Sequence, residues 1–523
     1  MPSLRFKIAS EASELEQIHR LNYATFVEEI PQHPGDPAGL LVDKFHGQNS
    51  YVIALDGDRL VGMVALRAAR PFSLDAKLAN LDSHLPACRS LCEVRLLSVA
   101  RERRKGPVFR GLMRLLVEHG RRQGHDLAVI SGTLRQLKLY RHLGFTPFGP
   151  EVGAPEARFQ PMYLTLAALQ KHGRAFAAPR VRLLPGPVSL HPTVRKAFAA
   201  LPISHRGDGF AGALRHVKAR LRELTGARHA SLLFGSGTLA NDAIAARLAV
   251  EGLVGGSGVV LSNGEFGDRL ADHARRFRLP HTVVRADWGD TFDETALDAL
   301  LGETPCDWLW AVHCETSTGV LNDLPSLQRL CARRGARLCL DCISSLATVP
   351  LDLSGVHLAS GVSGKGIGSL AGVAMVFHQA AISPAPAALP RYLDLGSYAQ
   401  EDGVPYTFPS NLILALQAAL DVRSIEERFA HLTGLAARLR TDLREHGLRI
   451  VAPDDRASPA VTTIALPPEV SSDRVGRELE RRGYELSYLS SYLLERSWIQ
   501  ICLMGECSQD ELAPLPGILA SLL

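Results

Sequence analysis

A lysine flanked by small residues, Ser363-Gly364-Lys365-Gly366, stands between the strand-like segment Leu358-Ala359-Ser360 and the apolar run Ala371–Phe377. Few folds place a lysine in such a turn as a solvated surface charge. Its amine can instead hold an aldehyde cofactor as a Schiff base, because small neighbours let a flat ring approach the backbone. Upstream, Asp341 ends the apolar run Ala336–Leu340. A carboxylate at the C-terminal end of a buried parallel strand is costly unless a cation faces it. A protonated pyridine nitrogen is such a cation. Further upstream, Leu232-Leu233-Phe234 runs into Gly235-Ser236-Gly237-Thr238 and then the helical pattern Leu239–Leu248. Strand, small-residue turn and helix N-terminus together make a phosphate cradle of backbone N–H groups and hydroxyls. Lysine, aspartate and cradle are the three anchors a pyridoxal 5'-phosphate (PLP) site requires.

With 523 residues, two or three domains are expected. A hydrophobic content of 46% with 21% charged residues belongs to a globular chain that buries large cores. The net charge of +4 is small for this length and argues against nucleic acid as a partner. The nine cysteines form no regular framework, and Cys339-Leu340-Asp341-Cys342 lies along a strand, so both thiols read as core residues. No metal cluster, apolar signal segment over Met1–Ser10 or membrane-length apolar run is read, and a reducing, cytoplasmic compartment is expected.

The first part of the chain mixes helix and strand. Ser10–Phe26 has helical spacing, and a hairpin joins Ser50–Leu55 to Leu60–Leu66 through Asp56-Gly57-Asp58-Arg59. Cys92–Val99 reads as a strand, Val108–His119 as a helix, Asp126–Ile130 as a strand and Leu137–Leu143 as a short helix closed by Gly144. Two segments, the basic turn Arg103-Arg104-Lys105-Gly106-Pro107-Val108 and Tyr140-Arg141-His142-Leu143-Gly144-Phe145, resemble the GCN5-related N-acetyltransferase (GNAT) superfamily over about residues 4–168. The long Thr25–His46 region is similar to the N-acyl amino acid synthase and acyl-homoserine-lactone synthase branch. The resemblance implies an α+β domain in which Arg103 and Gly106 help hold an acyl-CoA, Tyr140 protonates the departing thiolate and Glu93 acts as a base through water. The acyl donor it implies is acyl-CoA or an acyl-carrier protein.

Glycine and proline punctuation places a linker at 173–180, between a GNAT-like domain over 1–172 and a second domain over 181–523 with a smaller C-terminal part from about 425. The second domain alternates strands around Leu232, Val259, Thr282, Trp308, Leu338 and Leu358 with helical stretches, a doubly wound α/β pattern. Pro185-Gly186-Pro187, Gly235-Ser236-Gly237-Thr238, Asn263–Arg269, Glu315-Thr316-Ser317-Thr318-Gly319 and Ser363-Gly364-Lys365 resemble motifs of the class V aminotransferases, a branch of PLP fold type I. That resemblance implies a phosphate held by Ser236, Gly237 and Thr238, the ring between Phe266 and Ile343, and Thr316 near its phenolic oxygen. It further implies Asp341 at the ring nitrogen, Lys365 as the covalent anchor, and Thr407 reaching a neighbour's phosphate in a homodimer.

Two positions depart from the family pattern. Gly364 stands where Gln or Asn is common, and Gln500 stands where an arginine binds the substrate carboxylate. A neutral amide cannot make a bidentate charged pair. His205 and Arg206 are the first substitutes expected to meet an anionic substrate group, ahead of Arg391 and Arg496, and Gln500 is counted with the substrate residues. The chain therefore reads as a bifunctional enzyme, PLP-dependent transamination of an amine or amino acid with a keto acid or aldehyde, coupled to N-acyl transfer. PLP-dependent lyase, decarboxylase or acyl-condensing chemistry stays open, as does a GNAT-like module that only binds.

Overall fold

The computed structural model describes residues 4–30, 33–104, 107–154, 157–172, 180–251, 256–303, 306–400 and 404–523. Contacts divide the chain into two compact units, Met1–Arg180 with Arg481–Gly483, and Val181–Glu480 with Tyr484–Leu523. Of the expected linker, 173–179 lies outside the described residues.

The first unit is built on an eight-stranded sheet. Its elements are β1 (Leu4–Ile8), α1 (Ala12–Tyr23), β2 (Asn49–Asp56), β3 (Arg59–Arg67), β4 (Leu91–Val99), α2 (Pro107–Arg122), β5 (Leu127–Thr133), α3 (Leu137–His142), β6 (Thr146–Pro147), β7 (Val152–Ala154), β8 (Ala157–Thr165) and α4 (Leu166–His172). The strands run β1-β2-β3-β4-β5-β8-β6, with β7 on β8. Alternation along β3 sends Val64 and Leu66 to a core with Val108, Leu112 and Leu116 of α2, and Met63 and Ala65 to a core with Ile18 of α1. The helix expected over Ser10–Phe26 is α1 followed by a π-helical turn, Ala24–Glu29. The parallel ladder of β4 with β5 covers only Leu91–Glu93 against Leu127–Val129.

In the second unit, β9 (Val181–Leu183), α5 (Pro192–Phe198) and α6 (Asp208–Thr225) lead into the main sheet. Then come β10 (His229–Gly235), α7 (Gly237–Glu251), β11 (Gly258–Ser262), α8 (Glu265–Arg276), β12 (His281–Arg285), α9 (Glu294–Glu303) and β13 (Trp308–Val312). The hairpin β14 (Cys314–Glu315) and β15 (Val320–Leu321), α10 (Leu324–Arg334), β16 (Arg337–Asp341), β17 (Leu358–Val362) and β18 (Gly372–His378) complete this half. The seven strands are ordered β10-β18-β17-β16-β13-β11-β12. β18 pairs antiparallel with both neighbours, and β17, β16, β13, β11 and β12 are parallel.

Parallel strands buried on both faces are mostly apolar: Trp308–Val312 is so throughout, and Leu358–Val362 has Ser360 as its one polar side chain. Cys339 and Cys342 are buried in this sheet, and burial raises both thiol pKa values. The helices α11 (Leu395–Gln400), α12 (Ser410–Asp421) and α13 (Ile425–Glu445) lead to the smaller C-terminal part. There β19 (Arg449–Ile450), β20 (Val461–Ala465), α14 (Ser472–Arg481), β21 (Tyr484–Leu486), α15 (Ser491–Arg496) and β22 (Trp498–Cys502) follow, and β19-β20-β22 form a three-stranded sheet. Among the described residues, no helix is long and apolar enough to cross a membrane.

Candidate active site

The chemistry gathers at the C-terminal ends of the parallel strands in the second unit, where an open α/β sheet leaves its crevice. Lys365 lies in the turn between β17 and β18, and its Nζ donates to Ser344 Oγ at 2.9 Å. The residue is half-buried, but its amine sits among enclosed groups, and burial lowers its pKa against the raising influence of Asp341. A Cβ on Gly364 would meet Ala371 Cα at 2.7 Å, so the turn closes only with glycine there.

Asp341 ends β16 and is buried. One of its oxygens accepts from Asn241 Nδ2 and the other from the Ile343 backbone N–H, both at 2.8 Å. Burial raises its pKa, and those two donors and Lys365 pull it back. Asn241 Oδ1 has no hydrogen-bond partner. Asn241 is four residues after Gly237 on α7, so one helix presents the cradle at its first turn and the Asp341 partner on its second.

Ser236 and Thr238 expose their side chains at the start of α7, while Gly237 between them is buried. A Cβ on Gly237 would come within 2.5 Å of Ile343 Cδ1. Opposite, the Phe266 ring centroid is 5.4 Å from Lys365 Nζ. Glu315 fixes that ring in place: its fully buried carboxylate accepts from the backbone N–H groups of Phe266 and Gly267 at the N-terminus of α8, and from Ser317. Burial raises the Glu315 pKa. Thr316 Oγ1 pairs with Ser344 Oγ at 2.5 Å, which joins it to the lysine.

These groups fit PLP. The cradle is open where a phosphate would sit, and Asp341 is a buried carboxylate without a full countercharge. A cation beside Asp341 would offset the burial that raises its pKa. Asn241, Ser344 and the capping role of Glu315 were not among the residues singled out from sequence. Helical spacing from Gly237 points to Asn241, whereas Ser344 meets Lys365 only because β16 and β17 are neighbours.

Gln500 corrects an expectation. It is fully buried on β22, and its Nε2 donates to the Thr316 carbonyl at 2.5 Å, the Ser317 carbonyl at 3.1 Å and Thr463 Oγ1 at 3.0 Å. Its Oε1 accepts from the Tyr492 hydroxyl at 3.2 Å. The amide is spent on holding β20 and β22 to the turn after β14 and is not available to a substrate. His205 and Arg206 lie on the loop between α5 and α6, and Arg206 is exposed. Within one chain, no described hydrogen bond or ion pair joins them to the lysine cluster. That loop is tied instead to the start of α12, through Ile203 N to Ser410 Oγ at 2.9 Å and Asn411 Nδ2 to the Phe198 carbonyl at 2.7 Å. Exposed Thr407 lies just before α12.

In the first unit, Glu93 is fully buried and accepts from the N–H groups of Ser73 at 2.8 Å and Leu74 at 3.3 Å, from the Ser73 hydroxyl and from Arg95 at 3.5 Å. Its carboxylate braces that turn, so its oxygens are committed to backbone and side-chain donors where a base acting through water was expected. Tyr140 is half-buried on α3, with its ring 6.2 Å from that of Phe145. Arg103 pairs with Asp56, while Arg101 and Arg104 pair with Glu29. Gly106 lies outside the described residues.

A doubly wound sheet with a lysine, a buried aspartate and an open helix N-terminus at its crevice is the architecture of PLP fold type I enzymes. Residues 196–486 match the family model described as aminotransferase class-V, and the chain belongs to that family, whose members imply pyridoxal phosphate. Residues 17–167 match the N-acyl amino acid synthase FeeM, an acyltransferase family. A 2-aminoethylphosphonate–pyruvate transaminase of Aeromonas hydrophila is 30% identical over 277 residues, 49% of this chain and 70% of that protein. A protein described as the small subunit of a soluble hydrogenase from a Synechococcus species is 30% identical over 326 residues, 58% of this chain and 82% of that one. Among solved structures, an aspartate aminotransferase from Thermus thermophilus is similar at TM-score 0.58 and 29% identity, covering 66% of this chain and all of that one. An alanine–glyoxylate aminotransferase from a Nostoc species is similar at TM-score 0.60 and 26% identity, covering 66% and 96%.

Proposed function

We propose that the protein is a bifunctional biosynthetic enzyme in which the second unit transaminates a small amino compound and the first transfers an acyl group from a thioester to an amine. The observation that carries the first half is the convergence of Lys365, Asp341 and the α7 N-terminus on one crevice. PLP supplies there an electron sink for bonds at the substrate carbon. In this reading Ser236, Gly237 and Thr238 bind the phosphate, Phe266 and Ile343 enclose the ring, and Thr316 lies beside its phenolic oxygen. Asp341, held by Asn241, keeps the ring nitrogen protonated. Lys365 would anchor the cofactor, and its Nζ would hold or move a proton at the substrate carbon. Burial favours its neutral form, which that task needs.

The site works as part of a homodimer. Phe198, Leu201, Ile203 and Phe234 are exposed around the loop that carries His205 and Arg206, and Leu201 is 87% exposed. The Phe234 ring lies 6.2 Å from that of Phe408, next to Thr407. An apolar patch of this kind marks a contact surface, and a partner there would bring Thr407, His205 and Arg206 to the neighbouring crevice. The nine cysteines are all free thiols, in keeping with cytoplasmic work.

The acyl half rests on a cavity of about 110 Å³ in the first unit, lined by Leu66, Val94, Met113, Leu116, Leu164 and Leu169 among others. It suits the apolar part of an acyl group delivered by CoA or a carrier protein, with Tyr140 as the proton donor to the leaving thiolate. An absorbance scan of the full chain with PLP, followed by amino donors and a keto acid or aldehyde acceptor, tests the first half. Release of a keto product is expected, and spectral change without amino transfer would favour lyase or condensing chemistry instead. Acyl thioester consumption with an added amine tests the second half.

A further inference from the structure

Behind the turn that carries Lys365, the second unit encloses a small polar cavity of about 20 Å³. Ile367 and Gly368 of that turn line it. So do His191 before α5, Arg423 between α12 and α13, Arg428 and His431 on α13, and Glu506 beyond β22. Its charges do not balance. Arg423 Nη2 donates to Glu506 Oε2 at 2.8 Å, which spends the one carboxylate in the lining. Among the described residues, no ion pair reaches Arg428. Its Nη1 donates to the Gly366 carbonyl at 2.8 Å and its Nη2 to the Ala419 carbonyl at 3.2 Å. Burial, and then the neighbouring Arg423 charge, lower the Arg428 pKa, with Glu506 acting the other way. A guanidinium enclosed with carbonyl partners alone keeps its full charge, which is unfavourable without an anion. His191 Nδ1 accepts from the Thr193 N–H at 3.3 Å, which leaves Nε2–H as its donor. Two guanidinium groups and an imidazole donor thus share one carboxylate.

Arg428 also couples this cavity to the lysine. The Gly368 N–H donates to the Lys365 carbonyl at 2.8 Å, so Lys365 to Gly368 form one closed turn. From α13, Arg428 holds the Gly366 carbonyl inside that turn, and a Cβ on Gly368 would lie 3.6 Å from its Nη1. An occupant that fixes the guanidinium therefore also fixes the residue next to Lys365. Volume limits what that occupant is. A cavity of about 20 Å³ holds little more than one water, so a monatomic anion enters and a phosphate or an organic acid does not.

We infer that this cavity is a binding site for a monovalent anion the size of chloride, held by Arg423, Arg428 and His191, and that the bound anion steadies the Lys365 turn through the Arg428–Gly366 hydrogen bond. The ion site stands on its own geometry, whereas its effect on the cofactor rests on the reading of the second unit as a PLP enzyme. Crystals of the full-length protein soaked in sodium bromide test the site, because anomalous scattering locates the ion. A bromide peak among Arg423, Arg428 and His191 is expected. Arg423→Gln, which leaves the Glu506 carboxylate unpaired in the cavity, is expected to remove it. Equilibrium dialysis of PLP in sodium chloride and in sodium gluconate at equal ionic strength reads the coupling, gluconate being too large to enter. Wild type is expected to hold PLP about fivefold more tightly in chloride, and Arg423→Gln to show no difference.

Bromide confined to the protein surface, with water alone in the cavity, overturns the proposal and needs no variant. A bromide peak in the cavity with equal or weaker PLP binding in chloride overturns the coupling, because the ion then has no hold on the lysine turn. Bromide in the cavity of a protein that binds no PLP in either salt would remove the PLP reading alone and leave the ion site standing.

Discussion

The Gln500 amide donates to the carbonyl of Thr316, 184 residues earlier, at 2.5 Å, and so ties the small sheet to the turn that lines the cofactor crevice. An arginine at this place would carry a charge for the substrate; the glutamine is consumed by backbone carbonyls and the Tyr492 hydroxyl. Gln500→Leu therefore leaves several buried groups unpaired and is expected to destabilise the second unit by about 2–4 kcal/mol. Denaturant unfolding reads this directly, and a change within experimental error would show that the amide does not hold the sheet.

Asn241→Ala removes the side-chain donor to Asp341 without touching the lysine. A hydrogen bond to a charged group contributes roughly 1.5–3 kcal/mol, so PLP affinity is expected to fall about tenfold or more. Equilibrium dialysis of PLP checks it, with Lys365→Ala as the variant that loses covalent attachment altogether.

Gly237→Ala should disturb the phosphate cradle, because the added methyl would lie 2.5 Å from Ile343 Cδ1. If that contact is the cause, Ile343→Ala restores PLP binding in the double variant even though it weakens binding alone. Additive losses would show that the two residues do not share the site.

Burial lowers the Lys365 pKa from its ordinary 10.5, and the neutral amine is the form that attacks an aldehyde. Covalent capture of PLP, fixed by borohydride at each pH, is expected to reach half its maximum below pH 10.5. Asp341 raises the lysine pKa, so Asp341→Asn should move the midpoint lower still. A midpoint that stayed at that of free lysine would contradict the enclosed amine.

His378 is lowered from 6.5 to about 4, chiefly by burial. Its Nδ1 donates to the Ala380 carbonyl at 2.7 Å. Below pH 6.5 the unfolded chain takes a proton that the folded one refuses, so stability present above 6.5 is lost as pH falls toward 4. The loss amounts to roughly 3 kcal/mol from this group. His378→Gln should flatten the slope of unfolding free energy between pH 6.5 and 4.

Much of this architecture was legible locally. The segment that becomes β13 is apolar throughout, and β10 and β16 carry the central runs Leu232–Phe234 and Leu338–Leu340 without alternation, as a sheet covered on both faces requires. The small residues around Lys365 and at Ser236–Thr238 announce close backbone approaches wherever they fall in the fold. Local pattern was weaker where a polar residue is buried by a distant partner. The family resemblance implies Glu93 as a base, but the turn at Ser73 and Leu74 folds over it and uses its oxygens. Asn22 and Arg67 carry no local signal at all, since each would be solvated in an extended chain.

The sequence by itself determined the two architectures, the lysine, the aspartate and the helix N-terminus that make a PLP crevice, because propensity and steric constraint act between near neighbours. Only the tertiary structure decided that Gln500 faces the Thr316 and Ser317 carbonyls, that Asn241 completes Asp341, and that the Arg67 Nε meets the Pro71 carbonyl. Hydrogen bonds and ion pairs depend on distances of about 3 Å between residues far apart in the chain, and those are set only when strands and helices have packed.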